Sequence, residues 1–228
     1  QSELFKPMPT NTKIDNWLSS QGGIMPGTNT VVTGDPGVGK TTVLLDIISE
    51  LQKQGKKVLF ISGEMNAIDM YGYVKRYPKF GKLDILFMGE YADENPEIVI
   101  NGALKPGYDV VLVDSMIEVA DMFVDYNGGT NKGASTRLLS LFEKHNRALN
   151  DGKIHTAFLI VQQVTKSGGF AGSNKIKHMT TGMMHMKINT DLTRYIYFSK
   201  NRRGGKQSKL YFDLNQRNSV EWLMEEEK

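Results

Sequence analysis

The stretch Gly34-Asp35-Pro36-Gly37-Val38-Gly39-Lys40-Thr41 constrains this chain more than any other. Its spacing, G-x-x-x-x-G-K-[ST], works as the turn between a strand and a helix, where successive N–H groups point at one anion. The flanks suit that demand. Thr30-Val31-Val32-Thr33 is a short β-branched run, and Val43, Leu44, Ile47, Ile48 and Leu51 share one face of a helix over 41–53. Gly34, Gly37 and Gly39 let the backbone curl around phosphate oxygens. Lys40 is expected to reach the β and γ phosphates, and the Thr41 hydroxyl to ligate Mg2+. The positive N-terminus of the helix, beginning with Thr41 and Thr42, faces the same anion. The binding set is therefore residues 34–42, and the expected ligand is a nucleoside triphosphate, ATP, with Mg2+.

The rest of the chain repeats the alternation. Val58-Leu59-Phe60-Ile61, Ile85-Leu86-Phe87-Met88, Val110-Val111-Leu112-Val113 and Ala157-Phe158-Leu159-Ile160-Val161 are short apolar runs. Helical stretches at 66–77, around 93–104 and at 135–150 lie between them. Strands this apolar require a parallel sheet covered on both faces. Beyond residue 190 the pattern becomes Tyr195-Ile196-Tyr197-Phe198, Lys209-Leu210-Tyr211-Phe212 and Val220-Glu221-Trp222-Leu223, joined by turn residues. That predicts an antiparallel meander. The expected class is α/β: a mainly parallel central sheet flanked by helices, with a C-terminal antiparallel β meander. Residues 1–21 read as a lead-in segment and 22–228 as one domain. Two segments rich in Gly, Ser, Thr and Asn, 116–134 and 166–187, read as long loops.

Composition excludes some classes. With no cysteine among 228 residues, neither a disulfide framework nor a thiolate zinc site is possible. No apolar run approaches the roughly 18 residues of a membrane span, and Gln1-Ser2-Glu3-Leu4 lacks a secretory pattern. The chain begins at Gln1 rather than Met, as a trimmed or excised piece would. A net charge of +3 does not by itself point to nucleic acid, but Lys200 to Lys209 holds five basic residues and no acidic one.

A triphosphate site needs further groups. Asp114, closing the run at 110–113, is the expected Mg2+ partner of Thr41. Glu64, just past the run at 58–61, stands where parallel sheets hold their ligands and is the candidate to position or deprotonate water; an exposed helix-starting Glu is the alternative. Gln163, past Val161, is placed to sense the γ phosphate, with a surface Gln as the competing reading.

These elements come in a recognisable order: Gly22-Gly23-x-x-Pro26-Gly27, the loop at 34–41, Ser62-Gly63-Glu64, Val113-Asp114-Ser115, Val164-Thr165-Lys166 with glycines to Gly172, His178-Met179, and Lys200-Asn201-Arg202-x-Gly204. Over roughly residues 20–223 the chain resembles the RecA-like ATPase core of bacterial RadA (Sms) proteins. The resemblance implies that Glu64 is the catalytic glutamate and Gln163 the sensor. It implies that Lys200 and Arg202 reach the ATP site of a neighbouring subunit, on one face of a strand, in a ring (a hexamer) or a filament. It also implies single-stranded or branched DNA on channel loops at 116–134 and 166–187, the second offering Lys166, Phe170, Lys175, Lys177 and Lys187. A cytoplasmic location, in a bacterial or phage-infected cell, and no membrane partner go with it.

The chain departs from the family pattern as well. The four-cysteine zinc module and the Lon-like domain are missing, Arg203 stands for the usual Phe, and Gln163 for the usual His. A core-only member of this kind is similar to the reduced recombination ATPases of bacteriophages. Three functions follow: a DNA motor of helicase or branch-migration type, an ATP-regulated single-strand binding or annealing protein, and a KaiC-like switch acting on a protein partner. DNA-stimulated ATP turnover separates the last from the others.

Overall fold

The computed structural model describes residues 2–150, 152–163, 178–215 and 218–225. A short helix α1 (Asp15–Leu18) precedes β1 (Asn29–Gly34), α2 (Lys40–Lys53), β2 (Val58–Ser62), α3 (Ala67–Arg76), β3 (Asp84–Phe87) and α4 (Pro96–Leu104). Then come β4 (Val110–Asp114), α5 (Met116–Asn127), α6 (Asn131–Asn146), β5 (Ala157–Val161), β6 (Gly182–Ile188), β7 (Arg194–Asn201), β8 (Leu210–Asp213) and β9 (Glu221–Glu225). The nine strands form one sheet in the order β3-β2-β4-β5-β1-β6-β7-β8-β9. Every pairing from β3 to β6 is parallel, and those from β6 to β9 are antiparallel. This is the class the alternating pattern demands.

Burial explains the composition of each half. Every residue of β2 and of β5 is buried, because helices cover both faces there. On one face Val32, Phe60, Leu112 and Leu159 pack with Val43, Leu44, Ile47 and Leu51 of α2. On the other, Val31, Ile61, Val113 and Ile160 pack with Val119 and Phe123 of α5 and Leu138 and Phe142 of α6. The antiparallel strands bury alternate residues only. Met184, Met186, Ile196, Phe198, Leu210 and Phe212 join the first core, so both methionines serve packing. The lead-in contributes Ile14, Trp17 and Leu18 to that same core, and Trp17 Nε1 donates to the Ser208 carbonyl at 2.8 Å.

Two segments differ from the expectation. Residues 116–134 are not a loop: α5 occupies the first part and α6 begins at Asn131. Met116, Val119, Ala120 and Phe123 follow i, i+3, i+4, i+7 and are buried, a helical period that the composition of the window hid. The turn signal belonged to Gly128 and Gly129 alone, ahead of Thr130, whose side chain caps α6 by accepting from Gly133 N. The end of the second segment, 182–187, is strand rather than loop, with the period-two burial of β6. Among the described residues no helix is long and apolar enough to cross a membrane.

Candidate functional site

The phosphate loop leaves β1 at Gly34 and ends where α2 begins at Lys40. Gly39 takes φ of 93°, and a methyl group on it would lie 2.4 Å from Leu214 Cδ1, so only glycine fits. Leu214, just past β8, is itself fixed: its carbonyl accepts from Arg76 Nη2 at 2.5 Å and from Tyr77 OH at 3.0 Å. The antiparallel half thus buttresses the loop from outside. From the other side β6 holds Asp35, whose N–H donates to the Met186 carbonyl and whose carboxylate accepts from Ile188 N at 3.2 Å and Lys187 Nζ at 3.0 Å.

Lys187 therefore does not stand in a DNA-facing loop. It lies on β6 and is paired with the phosphate loop, because its strand runs parallel to β1 and ends level with Asp35. Lys166, Phe170, Lys175 and Lys177 lie outside the described residues.

Lys40 folds over the loop and donates to the Gly34 carbonyl at 2.9 Å. Burial pulls its ammonium below the ordinary lysine value, opposed by Asp114 and Asp35. The Thr41 hydroxyl donates to Asp114 Oδ2 at 2.7 Å. Burial pushes the Asp114 carboxyl up, against the Thr41 hydrogen bond and the Lys40 charge, and Glu64 pushes it further. A magnesium ion would relieve that cost. A hydroxyl and a carboxylate, two hard oxygen donors side by side, suit this ion, which takes its remaining ligands from water and phosphate.

Thr41, Glu64, Met65, Asp69, Tyr73 and Asp114 line a cavity of about 430 Å³ next to the loop. Glu64 comes two residues after β2, beyond Gly63, whose N–H donates to the Asp114 carbonyl at 2.9 Å. Gln163 follows β5, the strand between β4 and β1, and its Nε2 donates to Glu118 Oε1 at 3.2 Å. The strand order alone brings Asp114, Gln163 and the phosphate loop to one edge.

Two residues here escaped sequence reasoning. Tyr73 is one turn of α3 beyond Asp69, on the same face; its phenol lines the cavity and is pushed up by burial and by Asp114. Glu118 sits in the first turn of α5. The pattern Ser115-x-x-Glu118 ahead of an apolar helical period was the available signal.

Lys200 and Arg202 lie elsewhere. Lys200 pairs with Met183 on β6, whereas Gly34 pairs with Met186. β7 ends at Asn201, so Arg202 occupies the following turn rather than sharing a strand face with Lys200. It is exposed, its N–H donating to the Thr181 carbonyl. Both stand toward the edge of the sheet opposite the phosphate loop.

A family model described as NTPase matches residues 29–66, the loop with its flanking strand and helix. The DNA repair protein RadA of Mycobacterium tuberculosis is 28% identical over 203 residues, 87% of this chain and 40% of that protein. RadA of Listeria monocytogenes is 30% identical over 226 residues, 96% of this chain and 46% of its own length. The chain thus spans less than half of these curated relatives. Two solved structures share the fold: a KaiC-like protein from Pyrococcus horikoshii (TM-score 0.65, 18% identity, 96% of this chain and 99% of that one) and the flagellar accessory protein FlaH from Methanocaldococcus jannaschii (TM-score 0.67, 13% identity, 96% and 100%).

Proposed function

Taking the chain as a RadA-like P-loop protein of RecA-like fold, we propose that it hydrolyses ATP at the contact between two copies and couples hydrolysis to single-stranded or branched DNA. The observation that carries this reading is the separation of the cradle from the paired cations. Lys200 is three register positions from Gly34 along the sheet, roughly 10 Å, toward the end of the strands opposite the loop. Lys200 and Arg202 serve a triphosphate only when it belongs to another copy.

In this reading Lys40 and the loop amides hold the phosphates. Thr41 and Asp114 hold magnesium, which when bound neutralises charge on the β and γ oxygens. Glu64 orients the attacking water and takes its proton. Gln163 donates to the γ-phosphoryl group and reports its presence. The neighbour's cations stabilise charge that grows as the bond breaks, a contribution of roughly 10³ or more in rate. The DNA part draws support from the RadA relatives, which are named DNA repair proteins. The KaiC-like fold neighbour is compatible with a second reading, a switch acting on a protein partner.

ATP turnover with and without single-stranded DNA tests the proposal. Stimulation by DNA that disappears in both Lys40→Ala and Arg202→Ala supports it. Turnover that ignores DNA and rises with a protein partner supports the switch. A labelled forked duplex then separates unwinding from annealing.

A further inference from the structure

We propose that Glu118 is a positioning residue of this site: by accepting one hydrogen of the Gln163 amide, it aims the other at the γ-phosphoryl group. The proposal rests on the reading of Gln163 as the group that meets that phosphate.

Three observations place Glu118 in this role. Its Oε1 is the acceptor of Gln163 Nε2, 3.2 Å away and 45 positions distant in the chain. An amide nitrogen carries two hydrogens, so this bond fixes the amide plane and leaves one donor to spend. The stem of Glu118 is also wedged against the strand end that carries Glu64. A methyl group built on Gly63 would lie 2.9 Å from Glu118 Cβ and 3.2 Å from Val119 Cγ2. The approach leaves no room for a side chain at position 63, so glycine lets α5 stand this close to the end of β2. Finally, Glu118 Oε2 is buried with no hydrogen-bond partner among the described residues, and so is the hydroxyl of Ser115, the residue that opens α5. Ser115 makes no side-chain cap bond, so Glu118 is not half of a reciprocal capping box.

The consequence is a rigid corner. β2 leads to Glu64, β5 leads to Gln163, and Glu118 of α5 stands beside Gly63 and accepts from Gln163. That bond matters to rate rather than to binding, because the phosphates are gripped by the loop at 34–41 and not by Gln163.

The test is a set of kinetic measurements on the whole chain with MgATP, comparing Gln163→Ala, Glu118→Ala, Glu118→Gln and the double variant Glu118→Ala/Gln163→Ala. Thermal melting of each verifies that it folds. We expect Glu118→Ala to lower kcat about ten-fold, the factor one hydrogen bond to a charged group accounts for, with KM within about two-fold of the parent. Glu118→Gln, whose amide oxygen still accepts, restores most of that loss. In the Gln163→Ala background, Glu118→Ala costs nothing further. Two results overturn the proposal: an undiminished kcat in Glu118→Ala while Gln163→Ala is impaired, or an equal loss from Glu118→Ala whether or not Gln163 is present. If instead Gln163→Ala itself turns over at the parent rate, the sensor reading fails and takes the positioning role with it.

Discussion

The parallel and antiparallel halves of the sheet divide the work. From β2 to β1 the strands are buried between helices, and the cavity lies beyond their C-terminal ends, lined by Glu64 and Asp114 from the strand ends and by Thr41, Asp69 and Tyr73 from α2 and α3. From β6 to β9 the strands bury one side, brace the phosphate loop from outside, and carry Lys200 and Arg202 toward the other edge. A buried parallel sheet collects its loops at one edge; an antiparallel meander returns the chain to both. The second half can thus present charge to a different molecule while holding the first in shape.

The largest effects test whether the two edges serve one reaction. Arg202→Ala and Lys40→Ala are each expected to lower ATP turnover by roughly 10³, with Arg202→Ala binding nucleotide as tightly as the parent. Mixing the two inactive chains should return activity, since a contact then exists with an intact cradle on one side and an intact cation on the other. A mixture that stays inactive would mean the edges do not cooperate.

The brace comes next. Leu214 lies over Gly39 with its carbonyl tied to Arg76 and Tyr77. Leu214→Ala should cost about 2–4 kcal/mol in urea unfolding, and weaken nucleotide binding as the loop loses its support. Unchanged affinity would detach the antiparallel half from the site. Asp35→Ala is a milder version. It leaves Ile188 N–H without its acceptor and should cost about 1–2 kcal/mol, whereas Lys187→Ala, removing only a partly exposed ion pair, should cost under about 1 kcal/mol.

The smallest effect concerns one histidine in each half. Burial lowers His145, which is hydrogen-bonded to Asn150, and His185, which bridges Thr33 and Ser199. A lowered histidine binds fewer protons folded than unfolded. Its contribution is therefore complete above the ordinary value near 6.5 and declines as pH falls below it. Melting temperature should drop between about pH 7.5 and about pH 5.5, and His145→Gln or His185→Gln should each flatten the drop. A profile equally steep in both variants would assign the effect to carboxylates.

Sequence patterns found what is encoded locally. The run Ala157–Val161 is β5 from end to end: it is short, rich in β-branched and aromatic residues and bounded by polar ones, as a strand buried on both faces is. Asp114 was legible as the carboxylate closing such a run. The helix α5 was not, since Gly128, Gly129 and Thr130 dominated the composition of a window whose apolar period was plainly helical. β6 was missed for a related reason. Its Gly-Met-Met-His-Met opening has little β-branched character, and it is a strand because β1 and β7 flank it.

By itself the sequence determined the phosphate loop, the buried strands and the helix that follows the loop. These depend on residues within a few positions of one another, where spacing alone dictates geometry. Only the tertiary structure decided that Lys187 meets Asp35 across 152 positions, that Glu118 accepts from Gln163, and that Lys200 and Arg202 lie at the end of the strands opposite the phosphate loop. Such neighbours follow from strand order and register. Those are set by how the strands and helices bury their apolar surface together, which no local window of residues contains.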